Sequence, residues 1–339
     1  MGNRTGWIVA GALVVVIGGI VVLAAFPELR YWLGLEARPE VPTNIRAEML
    51  ERKDVGVSVA EIVGAVPGAP GNAGEDYQKA TDMVKANMTA MTDVRNALDA
   101  NKEPEQAGVD ALKQLDAVVA AGAAKAQMEL TRMRGSRKFT CISTFKTASN
   151  LVDVAGALEA LGDYYRKKKQ YAEAERVLQH EFILGWHMMQ ERARVRMVQM
   201  GMGFQDSALG KLKELYQAMG AKEGDARLQT IERYSAGLGT MTDVFDRKAK
   251  WLWAGKPIPE DAFTILEKDK DRAWRVDALL VIARFKFPET DENPYRQRAI
   301  AALEKFANSP DPIEALAAQS GKELTKDEFA RLGSVQEPD

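Results

Sequence analysis

From Glu75 onward the apolar positions recur at the three- and four-residue spacing of amphipathic helices. Tyr77, Ala80, Val84, Met88, Met91, Val94 and Leu98 make one such stripe, closed by Pro104. Val109, Leu112, Leu115, Val118 and Val119 open a second, which heads towards Met133 before Gly135-Ser136 interrupts it. The same spacing predicts helices over 139–168, 172–200, 207–219, 225–253, 260–286 and 293–308. Asp311-Pro312-Ile313-Glu314 places a capping acid ahead of a proline at the first helical position. Thr325-Lys326-Asp327-Glu328 reads as a capping box for a last short helix. No alternating run bounded by turn residues points to a sheet. The expected fold is therefore all-α, a body of about nine or ten helices in antiparallel pairs.

The N-terminus follows a different pattern. Trp7 to Phe26 is an unbroken run of 20 apolar or glycine residues. At about 1.5 Å per residue it spans roughly 30 Å, the thickness of a bilayer core. Trp7, which opens it, and Tyr31 and Trp32, which follow it, resemble an interfacial belt. A cleaved signal peptide is the competing reading, but this run exceeds the usual apolar core of such peptides and is preceded only by Arg4. A retained single-pass helix is expected, with the body outside the cytoplasm. Gly11, Gly18 and Ala25 recur every seven residues and form a candidate packing face for another membrane helix. The expected organisation is an anchor and interfacial segment at 1–40, and a short helix and flexible linker at 41–74. A helical domain at 75–220 and a C-terminal helical domain at 221–339 follow. Pro67-Gly68-Ala69-Pro70-Gly71-Asn72 is the clearest linker signal.

Charge and rare residues narrow the function. Lys+Arg is 46 against Asp+Glu 48, a net charge of -2, which argues against a nucleic-acid binder. One cysteine and two histidines leave no material for a disulfide framework or a Cys/His-rich metal site. Cofactor and catalytic fingerprints are missing: no phosphate loop, no dinucleotide turn after a strand, no nucleophile elbow and no zinc-binding His-Glu-x-x-His.

One stretch carries a repeat signature. Leu158, Leu161-Gly162 and Tyr165 are followed, on the next helix, by Ala174 and Leu178, with Tyr171 opening that helix. This pattern resembles one degenerate unit of the tetratricopeptide family, about residues 155–188, with Leu158 at the aromatic position. Glu181 and Trp186 depart from it, standing where the family prefers a small residue and a proline. Thirty-four residues on, Ala208 and Leu212 repeat the second-helix pair, half of a second unit. The resemblance implies protein–protein contact through stacked helices rather than a reaction.

Candidate partner-binding residues follow from it: Tyr165, Tyr171, Trp186, Met188 and Met189. Methionines suit adaptable grooves and also fill irregular cores. His187 and Glu191, spaced i,i+4, fall short of the three or four ligands a metal needs. Cys141 follows Arg137 and Lys138, and cations lower a thiol pKa, although a buried structural role is the common one. Arg132, Arg134, Arg137 and Lys138 form a basic knot, and Arg166-Lys167-Lys168-Lys169 a second in a helical turn. Either could meet anionic lipid or an acidic partner, or be a solvated turn.

The resulting expectation is a membrane-anchored helical scaffold that binds other proteins at the membrane surface. It uses no cofactor, no metal and no small-molecule substrate. The alternatives are an accessory single-pass subunit of a large membrane complex and an envelope enzyme whose acid pair only geometry could reveal.

Overall fold

The computed structural model describes residues 56, 58–129, 141–222, 224–253, 259–287, 289 and 293–327. The apolar run 7–26 with Gly11, Gly18 and Ala25, the basic knot at 132–138 and the end of the Thr325–Glu328 capping box lie outside the described residues. Among the described residues no helix is long and apolar enough to cross a membrane.

Among the described residues the body is all-α apart from one short ribbon. In chain order the elements are α1 (Ala60–Val63), β1 (Ala69–Asn72), α2 (Ala73–Asp99), α3 (Gln106–Ala123), β2 (Lys125–Gln127), α4 (Cys141–Lys167), α5 (Tyr171–Glu191), α6 (Val195–Ala218) and α7 (Ala226–Trp253). They continue with α8 (Pro259–Lys268), α9 (Arg272–Arg284), α10 (Arg296–Phe306) and α11 (Pro312–Glu323).

The α2 stripe buries Tyr77, Ala80, Val84, Met91, Val94 and Leu98 as its spacing predicts. Met88 is the exception, 45% exposed. Asn87 explains it: its backbone leaves the helical region (φ -121°, ψ 15°) and its side-chain amide donates to Met83 O. The kink rotates the stripe past Met88. α3 then crosses α2 closely at Gly108, where a Cβ would stand 2.7 Å from Ala90 O.

Residues 58–74 are not a free linker. Val59 and Ile62 are buried, Gln179 on α5 donates to Ile62 O, and β1 pairs in parallel with β2. Asn72 is the clamp. Its side-chain oxygen accepts from Gly74 N, capping α2, and from Glu129 N beyond β2. The proline and glycine signal was a signal for irregular backbone, and irregular backbone can still be packed. The extension of α3 to Met133 fails for the same reason: the helix ends at Ala123 so that β2 can pair with β1.

Two predicted helices are each split. The one expected over 172–200 breaks at Arg192-Ala193-Arg194, with Arg192 in the left-handed region at φ 45°. The one expected over 260–286 breaks at Asp269-Lys270-Asp271, where Asp271 accepts from Ala273 N and caps α9. The start of α11 is as expected, with Asp311 accepting from Ile313 N and Glu314 N. The expected boundary at residue 220 does fall in a turn, with Gly220 at φ 94° and Gly224 at φ 92°. The buried apolar cluster nevertheless runs continuously from Val59 to Ala318, so the two sides share one core.

Candidate functional site

The hairpin of α4 and α5 packs as its small residues require. Leu158, Leu161, Ala174 and Leu178 are buried, and a Cβ on Gly162 would stand 3.0 Å from Leu178. α5 then meets α6 even more closely. A Cβ on Gly185 would lie 2.5 Å from Gly201 O, and one on Gly201 2.6 Å from Gly185 O, so the two backbones touch. Ala208 and Leu212 are buried on α6, the helix directly after α5. They therefore occupy the first helix of a following hairpin, not the second, because the break at 192–194 restarts the chain there.

Three of the five candidate partner residues turn inward. Met188 and Met189 are 0% and 5% exposed, and Tyr165 is buried with them. α5 is enclosed by α3, α4, α6 and β2, so its methionines fill core rather than line a groove. Tyr171 and Trp186 remain half-buried at the edge of the core and keep an accessible face.

A polar seam runs alongside this hairpin. Glu159, Asp163 and Arg166 on α4 face Ser207, Lys211 and Glu214 on α6, each pair 48 residues apart. Ser207 Oγ donates to Glu159 at 2.5 Å, Lys211 Nζ to Asp163 at 2.9 Å, and Arg166 pairs with Glu214 at 3.3 Å. Arg95 of α2 reaches the same edge, donating to Gly156 O and to Glu159. Beneath the seam, on α5, lies Glu181. It is fully buried, and no side-chain or backbone donor reaches either carboxyl oxygen. Burial, then the neighbouring Glu159 charge, hold this carboxyl well above the usual carboxylate range. Gln205, buried on α6 beside Gly185, has an unpartnered amide nitrogen, while its oxygen accepts from Tyr234 OH.

A second cluster joins α5 and α6 to the C-terminal helices, and here every charge is answered. Arg192 binds both oxygens of Asp271, Arg194 binds Asp277, and Lys248 pairs with Asp269 over the face of Trp274. Val195 N also donates to Asp277, so one aspartate caps α6 and neutralises Arg194. Burial pulls the Lys248 ammonium below its ordinary value despite Asp269.

His187 is buried on the far side of α5. Its Nδ1 lies 2.7 Å from Tyr77 OH and its Nε2 2.9 Å from Lys125 O. A neutral ring satisfies both, with Nε2–H donating to the carbonyl and Nδ1 accepting from the phenol. Burial lowers its pKa to about 4. His180 is tied to Asp116, which Arg176 also reaches. Among the described residues no three His, Cys, Asp or Glu side chains are placed to hold a metal.

Sequence reasoning does not single out Glu159, Gln205, Ser207 or Lys211, and marks Glu181 only as a departure from the repeat pattern. The available signal was Glu181 itself, the residue that departs from the repeat pattern at a position where a small side chain is preferred.

The fold and these clusters define an all-α protein of closely crossed helical hairpins. No family model, curated protein or solved structure matches the chain.

Proposed function

We propose that this chain is a membrane-anchored helical scaffold that binds other proteins at the membrane surface. The observation that carries the reading is the juxtaposition of two unlike parts. Trp7 to Phe26 has the length and flanking aromatics of a single bilayer span, and the all-α body beyond it packs around its own core. The body is read as a short repeat-like solenoid of the tetratricopeptide kind. α4, α5 and α6 are its first hairpin and the start of the next, and Tyr171 and Trp186 stand on its accessible edge. The body is placed outside the cytoplasm. An accessory subunit of a larger membrane complex is favoured instead if the Gly11, Gly18, Ala25 face packs against another membrane helix.

Membrane fractionation tests the anchor. The full chain should stay in the pellet after alkaline carbonate extraction, and a chain lacking residues 1–26 should move to the soluble fraction. Release of the full chain would sink the reading. Purification in mild detergent should then bring down a partner in fixed stoichiometry, lost on Tyr171→Ala and Trp186→Ala with the fold intact. A partner retained by that double variant but lost on Gly11→Leu and Gly18→Leu would favour the subunit reading.

A further inference from the structure

Among the buried acids described, Asp76, Asp116, Asp269, Asp271, Asp277 and Glu314 each pair with a cation. Glu181 has no such partner, and the groups that face it are already engaged. From α4, Glu159 accepts from Ser207 and Arg95. From α6, Lys211 is held by Asp163. From α2, Arg95 is divided between Gly156 O and Glu159. Of the other elements packed against α5, α3 carries Asp116, taken by Arg176 and His180, and β2 carries Lys125, taken by Asp76 on the His187 side of the helix. An ionised carboxylate buried without a cation or a donor is too costly to persist, so the group is neutralised by a proton. A protonated carboxyl carries an O–H that needs an acceptor, and Glu159 is the carboxylate beside it.

We propose that the α4–α5–α6 junction is a proton-operated joint, closed while one proton is held between Glu181 and Glu159 and opened by its release. The step moves only a proton, from the carboxyl pair to water. Its loss leaves two adjacent carboxylates under the seam. One helical turn away the α5 and α6 backbones are in contact at Gly185 and Gly201, so that crossing has no room to absorb the repulsion. The seam is the weaker side: its Arg166–Glu214 pair is partly exposed, and its Ser207–Glu159 and Lys211–Asp163 bonds lie at the edge of the body. Opening there lets water reach Glu181 and Gln205. The inference goes beyond the scaffold reading and does not depend on it.

Hydrogen exchange of the full chain in detergent, with rates corrected for intrinsic base catalysis, reads the joint directly. From pH 6 to pH 9 the α4 and α6 amides should lose protection, by up to about tenfold per pH unit while the pH lies between the carboxyl's ordinary value in the opened state and its raised value in the closed one, and α11 should stay level. Glu181→Gln keeps the shape and removes the charge, so its α4 and α6 protection should not change over that range. Glu159→Gln removes the neighbouring charge but not the burial of Glu181, so it should weaken the pH response without abolishing it. Infrared spectra with carbon-13-labelled glutamate should show a protonated-carboxyl band at neutral pH in the wild type that Glu181→Gln lacks. Equal pH responses in wild type and both variants, or no such band in the wild type, would overturn the proposal.

Discussion

The two polar junctions of α5 and α6 solve burial in opposite ways. At 192–194 every buried charge has a counter-charge: Arg192 with Asp271, Arg194 with Asp277, Lys248 with Asp269. Beneath the α4–α6 seam, Glu181 has none. A fully paired cluster fixes one geometry, because each partner lost leaves an uncompensated charge behind. An unpaired acid fixes its own protonation state instead, and that state can be changed from outside. The first junction is a rivet between the two parts of the shared core; the second is a place where the packing answers to pH.

Breaking the rivet should have the largest effect. Arg194→Ala leaves the buried Asp277 without its guanidinium counter-charge and should cost about 3–5 kcal/mol of unfolding free energy in denaturant titrations. Replacing both partners with apolar residues of similar size, Arg194→Met with Asp277→Leu, should recover most of that loss. If the double variant is as unstable as the single one, the cluster is not acting through charge pairing.

Acid attacks a different contact on the same helix. His187 binds a proton in the unfolded chain near its ordinary value and in the folded chain only near pH 4, so unfolding takes up a proton in between. The His187 contribution to stability should therefore be full above about pH 6.5 and fall by about 3 kcal/mol as the pH drops to about 4. His187→Gln should flatten that window. The alkaline loss expected at Glu181 has the opposite sign and should remain in this variant.

Close crossings come next. Ala174→Leu overpacks the α4–α5 hairpin and should cost about 1–3 kcal/mol in thermal melts. Gly185→Ala drives a Cβ against Gly201 O and should lower the midpoint too, with Gly201→Ala behaving alike. Lys168→Leu, in the exposed turn after α4, should leave the midpoint unchanged and serves as the control.

Much of this body was legible in the sequence. The α2 and α3 stripes, the α7 helix and the Asp311-Pro312 start of α11 follow from apolar spacing and capping chemistry, which act within a few residues. The misses share a cause. Arg192-Ala193-Arg194 contains no residue that breaks a helix, so nothing local announces the turn. It forms because Asp271 and Asp277 lie more than 75 residues further on and draw both guanidiniums inward. The Asp271 cap did carry a local signal, masked by the apolar run on both sides of it. Met188 and Met189 show the limit at the candidate site: methionine spacing is the same in a groove and in a core, and only the helices around α5 settle which.

By itself the sequence determined the helical class of the body, most of its helices, and an apolar N-terminal run of bilayer length. Those properties depend on periodicity, capping and composition, each a matter of neighbouring residues. The tertiary structure alone decided where two long helices break, that residues 58–74 dock instead of hanging free, and that Glu181 is buried without a counter-charge. These depend on which distant side chains meet, and burial of a charge has no local signature: its cost is set entirely by what the rest of the fold brings beside it.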